Sequence, residues 1–257
     1  MAGWVGFVEQ AGGWQGLALI FAGALAGGVV NGLTGFGSAL TALPVWLHAV
    51  EPLVAAQLGS ACSVLGHIRT FPTIWNAIDW RRLAPMLAAG LIGVPIGTFM
   101  LPHIGLGAFK LGVGAVLAAH CSFMLLAAGR VKVAGGRWDR WAESVVGFAG
   151  GVLGGLAALS GVLPTVWASL NDWRKDERRI FFQAFNFTVL AAMLAASAVS
   201  GLIGVRSIVA FAVAAPATLI GASIGLAIYR HLDDVRFDRV VLVVLLMSGL
   251  ALVWSSL

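Results

Sequence analysis

The chain has 257 residues, of which 60% are hydrophobic and 11% are charged, and its mean hydropathy is +0.94. A soluble domain carries about 25% charged residues, so this composition excludes a soluble fold. It predicts an all-α polytopic membrane protein surrounded by lipid. The net charge of +5 then indicates basic loops that face anionic lipid, and no nucleic-acid partner is expected.

After an N-terminal stub (residues 1–13), the first apolar stretch is Trp14–His48, and a comparable stretch, Trp141–Leu170, follows mid-chain. As straight helices at 1.5 Å per residue they would be about 52 and 45 Å long, which exceeds an apolar core of about 30 Å. Gly-rich polar residues interrupt both, so we expect two broken helices. Six other stretches fit single transmembrane helices: Leu53–Pro72, Leu83–Leu101, Gly105–Ala128, Ile180–Gly204, Ser207–Tyr229 and Val240–Leu257.

The two halves of the chain resemble each other. The segment AGGVVNGL (26–33) matches AGGVLGGL (149–156), and LIGVPIG (91–97) matches LIGASIG (219–225). We therefore predict two homologous four-segment repeats, residues 14–128 and 141–257, joined by a basic cytoplasmic linker at 129–140. Each repeat consists of one broken segment followed by three transmembrane helices.

The distribution of basic residues predicts how the broken segments enter the membrane. If they cross it, the 16 Lys and Arg residues divide equally between the two sides. If each is a re-entrant hairpin, the second repeat is inverted, and all of them except Lys110 and Arg206 share one side. Cytoplasmic loops carry an excess of Lys and Arg, so we prefer six spans plus two hairpins that enter from opposite faces. This places both termini outside the cytoplasm.

The hairpin tips are predicted at 31–38 and 154–161. Irregular backbone within a membrane is tolerated where protein or a water-filled cavity satisfies it. Transporters with inverted repeats place such breaks together near the bilayer midplane, around the substrate. We therefore expect the two tips to face each other.

The composition of the tips suits an anion. Ser38 and Ser160 are candidate N-caps of the returning half-helices, whose free N–H groups and partial positive charge attract anions. Glycines let backbone N–H groups approach a ligand closely, although close helix packing alone is the alternative reading. The candidate substrate-binding residues of the tips are Asn31, Gly32, Thr34, Gly35, Gly37, Ser38, Gly154, Gly155, Ser160 and Gly161.

The helix after each hairpin carries a polar pair at i, i+3 spacing, which places each pair on one helix face. The pairs are Gln57 with Ser60 and Gln183 with Asn186. They are candidate substrate ligands, or else interhelical hydrogen-bonding groups. His67 and Arg69 are candidate cations of the anion path, although snorkelling to lipid headgroups is equally consistent for Arg69.

The sequence lacks the residue patterns that proton relays and nucleotide-binding sites need. No Asp or Glu lies within the six plain spans, so no carboxylate proton relay of the kind found in many pumps is indicated. The chain has no GxxxxGK[ST] phosphate-binding loop, and we predict no cofactor and no metal. Alternating access around one central anion site is the expected mechanism. Pro95, which breaks the helix pattern and has no counterpart in the second repeat, is the predicted hinge.

GLTGFG at 32–37, placed after an AGG-type helix and before an LP pair, resembles the TauE/SafE sulfite exporter family, as does the weaker copy GGLAALSGVLP at 154–164. The resemblance covers nearly the whole chain. It implies secondary transport, such as export, of small sulfur-containing or organic anions such as sulfite or sulfoacetate. The expected location is the bacterial cytoplasmic (inner) membrane. The second copy lacks the Gly-rich run of the first.

Two functions of other classes compete with transport. A rhomboid-like intramembrane serine hydrolase would use Ser160 and His231, but Ala158 stands where the GxSG pattern has glycine. A non-transporting membrane assembly partner would need a large docking surface, and these loops are short. We therefore predict a transporter and not an enzyme.

Overall fold

The computed structural model describes residues 13–68, 74–126, 139–170 and 175–229, with positions 242, 246, 249, 250, 253 and 254 near the C-terminus. Within these residues the fold is all-α and contains no strand, as predicted. Arg69 and most of the linker 129–140 and of the segment Val240–Leu257 lie outside the described residues. The helices are α1 (Gly13–Thr34), α2 (Ser38–Trp46), α3 (Pro52–Ile68), α4 (Trp80–Met100), α5 (Leu106–Leu126), α6 (Asp139–Ala157), α7 (Val162–Leu170), α8 (Lys175–Val199) and α9 (Val205–Tyr229).

Five of the helices are long and apolar enough to cross a membrane, namely α1, α4, α5, α8 and α9. Their outward faces carry large apolar side chains such as Ile92 (66% exposed) and Ile208 (60% exposed). A helix that is apolar on every side is stable when lipid covers the face that protein does not. The chain is therefore an integral membrane protein. The apolar parts of α3 and α6, Pro52–Ile68 and Trp141–Ala157, are shorter.

The first broken segment is a helical hairpin, because α2 folds back along α1. The indole N–H of Trp46, at the end of α2, donates to the carbonyl oxygen of Ile20 over 3.0 Å. Gly27 of α1 faces Ser38 and Ala42. The chain reverses at residues 35–37, which we call tip 1. Gly35 and Gly37 have φ of +79° and +86°, a region that L side chains rarely adopt.

The second broken segment folds in the same way. Helix α7 returns along α6, so that Gly154 faces Ser160 and Gly150 faces Pro164. The reversal, at residues 158–161, is called tip 2. Both breaks are shorter than predicted: residues 31–34 and 154–157 continue α1 and α6. Glycine lowers helix propensity but does not by itself end a helix. The helix continues as long as the residues that follow keep their backbone hydrogen bonds.

The helices around the hairpins have defined directions. Helix α3 runs antiparallel to α8, since Ser60 contacts Met193 while Gln57 contacts Leu202. The opposite ends of both helices meet tip 1, where Gly35 touches His67 and Arg179. We call this side of the bundle the Arg179 end and the other side the Gln57 end.

Two seams of glycine contacts hold the halves together. Helices α1 and α9 run in parallel, since Gly221 packs on Leu25 and Gly225 packs on Val29. Helices α4 and α6 also run in parallel, since Gly93 packs on Phe148 and Gly97 packs on Val152. A Cβ on any of these glycines would overlap a backbone carbonyl oxygen of the partner helix. Small residues allow the two backbones to approach closely. In lipid, the van der Waals contacts of such packing are a main attraction between helices, because the hydrophobic effect does not drive helices together there.

The predicted helix break at Pro95 is not present, because α4 is continuous from Trp80 to Met100 and contains both Pro85 and Pro95. One missing backbone hydrogen bond is tolerated where neighbouring helices support the turn. Gly93 and Gly97, on either side of Pro95, are clamped against α6. The hinge role of Pro95 stays a prediction.

The seams predict which glycines are sensitive to a single methyl group. Gly97→Ala should lower the free energy of unfolding by about 1–3 kcal/mol, because the new Cβ collides with backbone that has no rotamer to change. Thermal unfolding of the detergent-solubilised protein measures this as a fall in Tm.

Gly112 of α5 is the matched control, since a Cβ there meets no atom within 4 Å. Gly112→Ala should leave Tm unchanged or raise it slightly, because alanine favours a helix by about 1 kcal/mol over glycine. An equal Tm in the two variants would contradict the proposed packing of the α4–α6 seam.

Candidate functional site

Tip 1 is surrounded by polar groups from α3 and α8. One guanidinium nitrogen of the half-buried Arg179 donates to the carbonyl oxygen of Gly32 over 3.2 Å. The side-chain stems of Arg179 and Gln183 lie directly against Gly35. From α3, Nε2 of the buried His67 lies 2.8 Å from the carbonyl oxygen of Gly35. A cationic side chain therefore covers the tip, beside a second basic group.

The backbone of tip 1 offers unused donors. The first helical hydrogen bond of α2 is donated by Thr41 N to Gly37 O over 3.1 Å. The N–H groups of Ser38, Ala39 and Leu40 therefore have no acceptor within the helix. Thr34 Oγ1 lies 2.7 Å from the carbonyl oxygen of Phe36 and braces the turn. The start of α2 thus has the partial positive charge that favours an anion.

The predicted N-cap at Ser38 is wrong by one residue. Gly37 is the N-cap and makes no side-chain cap hydrogen bond, while Ser38 is the first helical residue. Glycine is selected here because the N-cap has a left-handed backbone, which serine adopts poorly. The Ser38 hydroxyl instead faces Gly27 of α1, where it is buried without a hydrogen-bond partner.

Asn31 lies inside α1, one turn before tip 1, and is 3% exposed. Its amide nitrogen packs against Gly66 of α3, where a Cβ would lie only 2.5 Å away. Its Oδ1 has no hydrogen-bond partner in the part of the chain that the structure describes. A buried polar atom of this kind costs about 1–3 kcal/mol unless a water or ligand satisfies it.

The two tips touch each other, as the sequence predicted. A Cβ on Gly161 would lie 2.9 Å from the ring of Phe36, and Gly59 of α3 fits between Ala39 and Ala158. Along α3, Gly35 of tip 1 lies beside His67, whereas Ala39, in the first turn of α2, and Ala158 of tip 2 both lie beside Gly59. The start of α2 and tip 2 therefore pack at the same level of α3.

Tip 2 is more fully satisfied by protein than tip 1. The Ser160 hydroxyl, which is fully buried, donates to Oδ1 of Asn186. The predicted N-cap role of Ser160 is wrong, because α7 begins at Val162 and Gly161 precedes it. The serine stands one position too early and bonds across to α8 instead. Pro164 does lie in the first turn of α7, as predicted.

The polar pair of α3 divides between two environments. Ser60 donates to the sulfur of Met193 in the buried centre of the bundle. Gln57 closes the Gln57 end: its Nε2 donates to Leu202 O over 3.1 Å, and its Oε1 accepts from Ser207 Oγ over 2.5 Å. An exposed ion pair between Glu51 and Arg206 lies at the same end.

Three other predicted glycines have packing contacts. A Cβ on Gly32 would overlap Ala222 O of α9, and a Cβ on Gly155 would overlap Val94 O of α4. The side chains of Val189 and Ser160 occupy the space beside Gly154. Their place in an anion site stays a prediction, and their role in close packing is what the contacts describe.

Arg179 is the residue that sequence analysis missed. It was counted among the cytoplasmic loop charges, since the helix was expected to begin at Ile180. In the structure α8 begins at Lys175. Arg179, Gln183 and Asn186 are then at i, i+4 and i+7 and share one face. That spacing was present in the sequence and is the signal that could have found it.

Comparison with known families gives one match. The family described as sulfite exporter TauE/SafE matches residues 19–252, which include both tips and Arg179. Comparison with curated proteins and with solved structures gave no match. Since the family match spans nearly the whole chain, this protein belongs to the TauE/SafE sulfite exporter family, a family of membrane transporters.

Proposed function

We propose that the protein is a secondary transporter that exports small sulfur-containing or organic anions, such as sulfite or sulfoacetate, across the bacterial cytoplasmic membrane. The family description names sulfite as the substrate and export as the direction. We place the anion above tip 1, between the start of α2 and the Arg179 side chain.

The observation that carries the proposal is the position of Arg179 over the glycine break that precedes α2. The Arg179 guanidinium presents N–H donors in a fixed fork, and one of its bonds is to Gly32 O. Helix α2, whose first N–H groups have no acceptor within the helix, begins directly after this break. Such charge-assisted hydrogen bonds suit planar or pyramidal oxyanions and are stronger in a site that excludes water.

The directions of the helices support two inverted repeats. Helix α6 runs parallel to α8, since Gly150 faces Phe185 and Gly154 faces Val189, and α3 runs antiparallel to α8. Contacts of the α1–α9 seam also recur in the α4–α6 seam with matched glycines. Gly225 packs between Val29 and Leu33, and its counterpart Gly97 packs between Val152 and Leu156. We propose repeats at 14–128 and 141–257 with a linker at 129–140.

In this arrangement the anion site opens toward the Arg179 end. The Gln57 end is closed by the hydrogen bonds of Gln57 to Leu202 and Ser207. An exporter loads its substrate from the cytoplasm, so we propose that the Arg179 end is cytoplasmic. Release to the other side requires the Gln57 contacts to break, which gives alternating access around one site.

The hydrolase alternative finds no support at Ser160. Its hydroxyl is fully buried and is bonded to Asn186, and an amide oxygen cannot act as the general base that a nucleophilic serine needs. His231 lies outside the described residues. The assembly-partner alternative is separated from transport by a flux measurement.

The proposed site predicts a strong dependence on Arg179. Arg179→Gln should reduce sulfite flux in proteoliposomes by about tenfold to a hundredfold, since a charge-assisted hydrogen bond contributes about 1.5–3 kcal/mol. Arg179→Lys should recover part of the flux, because it restores the charge without the fork.

The matched control is Arg206→Gln, which removes an exposed arginine at the Gln57 end that is paired with Glu51. It should change flux less than twofold, since exposed ion pairs contribute about 0–1 kcal/mol. Equal losses in the two glutamine variants would contradict the placement of the anion at tip 1. Absence of anion flux in the wild-type protein would favour the assembly-partner alternative.

The hairpin topology predicts which loops are shielded in whole cells. A single cysteine placed in 130–140 and another placed in 172–177 should both be protected from an impermeant thiol reagent. Gly204→Cys, at the exposed Gln57 end, should be labelled. The native Cys62 and Cys121 are buried and should give little background.

If both broken segments crossed the membrane, the 130–140 and 172–177 loops would lie on opposite faces. Labelling of one of these two cysteines with protection of the other would therefore exclude the re-entrant topology.

A further inference from the structure

Asn31 lies on the face of α1 that joins the two parts of the proposed anion site. Gly27 precedes it by four residues and Gly35 follows it by four, so the three residues share one face of the helix. Gly35 contacts the side-chain stem of Arg179, and Gly27 faces the hydroxyl of Ser38 in the first turn of α2. The level of Asn31 along α1 is therefore about one helical turn, or 5.4 Å, from the level of each.

The N-cap of α2 lies beside the same part of α1. A Cβ on Gly37 would lie 3.2 Å from a methyl group of Val30, the residue before Asn31. The N–H groups in the first turn of a helix point back toward its N-cap. Because α2 runs antiparallel to α1, these groups point from the level of Ser38 toward the level of Asn31. A ligand between the two levels would meet both these N–H groups and the Asn31 amide.

The Asn31 amide and the Ser38 hydroxyl are both buried, at 3% and 1% exposure. Neither Asn31 Oδ1 nor Ser38 Oγ has a hydrogen-bond partner among the residues that the structure describes. The amide nitrogen of Asn31 packs against Gly66 of α3. A buried polar atom is normally paired with protein, water or a ligand. Two such atoms about one turn apart, beside the start of α2, indicate a position whose hydrogen bonds a ligand completes.

The chemistry of the amide restricts which ligand can do so. A carboxamide has both an acceptor and a donor, whichever way it is oriented. An oxyanion without hydrogen offers acceptors alone, so it would pair with the Asn31 amide nitrogen and leave the amide oxygen unsatisfied. An oxyanion that carries a hydroxyl accepts through one oxygen and donates through another, and so pairs with both ends of the amide. The Ser38 hydroxyl and the first N–H groups of α2 can donate to its remaining oxygens.

We propose that Asn31 determines the specificity of the anion site, and that the substrate is a sulfur oxyanion that carries a hydroxyl group. Hydrogensulfite and hydroxyalkyl sulfonates have this chemistry, whereas sulfoacetate and fully deprotonated sulfite lack it. The proposal rests on the proposed function and narrows it, because it selects among the anions of the same site. A site built around a hydroxyl rejects analogues without one, since their binding leaves a buried polar group unpaired.

Isothermal titration calorimetry of the full-length protein in detergent tests the proposal with two pairs of anions. In each pair a methyl group replaces the hydroxyl. The first pair is isethionate and n-propanesulfonate, and the second is sulfite at mildly acidic pH, where hydrogensulfite prevails, and methanesulfinate. In at least one pair the hydroxyl-bearing anion should bind about tenfold more tightly, or more. A preference in the first pair alone identifies an organic sulfonate as the ligand, and one in the second pair alone identifies hydrogensulfite.

Asn31→Leu keeps nearly the same shape without a polar group, so it should bind the two members of each pair within about twofold of each other. Asn31→Ala is the second variant in case leucine disturbs the contact with Gly66. Thr98→Val is the matched control. Thr98 is a buried residue of α4 beside Gly155, and its Oγ1 also has no partner among the described residues. This control should keep the wild-type preference, because Thr98 belongs to the α4–α6 seam.

Equal affinities within both pairs for the wild-type protein would overturn the hydroxyl requirement and leave the anion site intact. This comparison decides the question even if neither Asn31 variant folds. An unchanged preference in a folded Asn31 variant would overturn the role of Asn31. If none of the four anions binds to the wild-type protein, the proposed function fails, and the hydroxyl requirement fails with it.

Discussion

The structure depends on satisfying backbone groups where two helices stop inside a membrane. Lipid offers no hydrogen-bond partner, so every carbonyl freed by a break must find one in the protein. Arg179 binds the carbonyl oxygen of Gly32 near the end of α1, and His67 and the Thr34 hydroxyl bind the tip 1 carbonyl oxygens of Gly35 and Phe36. The same groups that stabilise the break therefore assemble two basic side chains beside the start of α2.

Close helix packing then fixes where the tips lie. The seams between α1 and α9 and between α4 and α6 have no room for a Cβ at their glycines, so each hairpin is held by a helix of the other half of the chain. This arrangement packs Phe36 against Gly161, and tip 2 is buried within the protein. Tip 1 remains the more polar of the two and is the better position for a charged ligand. Exchange between two such arrangements is the physical basis that we propose for transport.

Much of this architecture could be predicted from the sequence. The excess length of Trp14–His48 and its glycines indicated a hairpin, and the second copy indicated its partner. The exact turn could not be predicted, since helical bonds continue through Asn31–Thr34 and end only where Gly35 and Gly37 adopt positive φ. The spacing of Arg179, Gln183 and Asn186 was visible in the sequence, whereas the contacts of Arg179 with Gly32 and Gly35 follow from tertiary packing.

The central claim is that an oxyanion binds at tip 1, and the most direct measurement locates it. Selenite is a close chemical analogue of sulfite, and its selenium scatters anomalously. Crystals of the protein soaked in selenite should give an anomalous peak within hydrogen-bonding distance of the Arg179 guanidinium and of the first N–H groups of α2. A peak beside Ser160 and Asn186 with none at Arg179 would contradict the account.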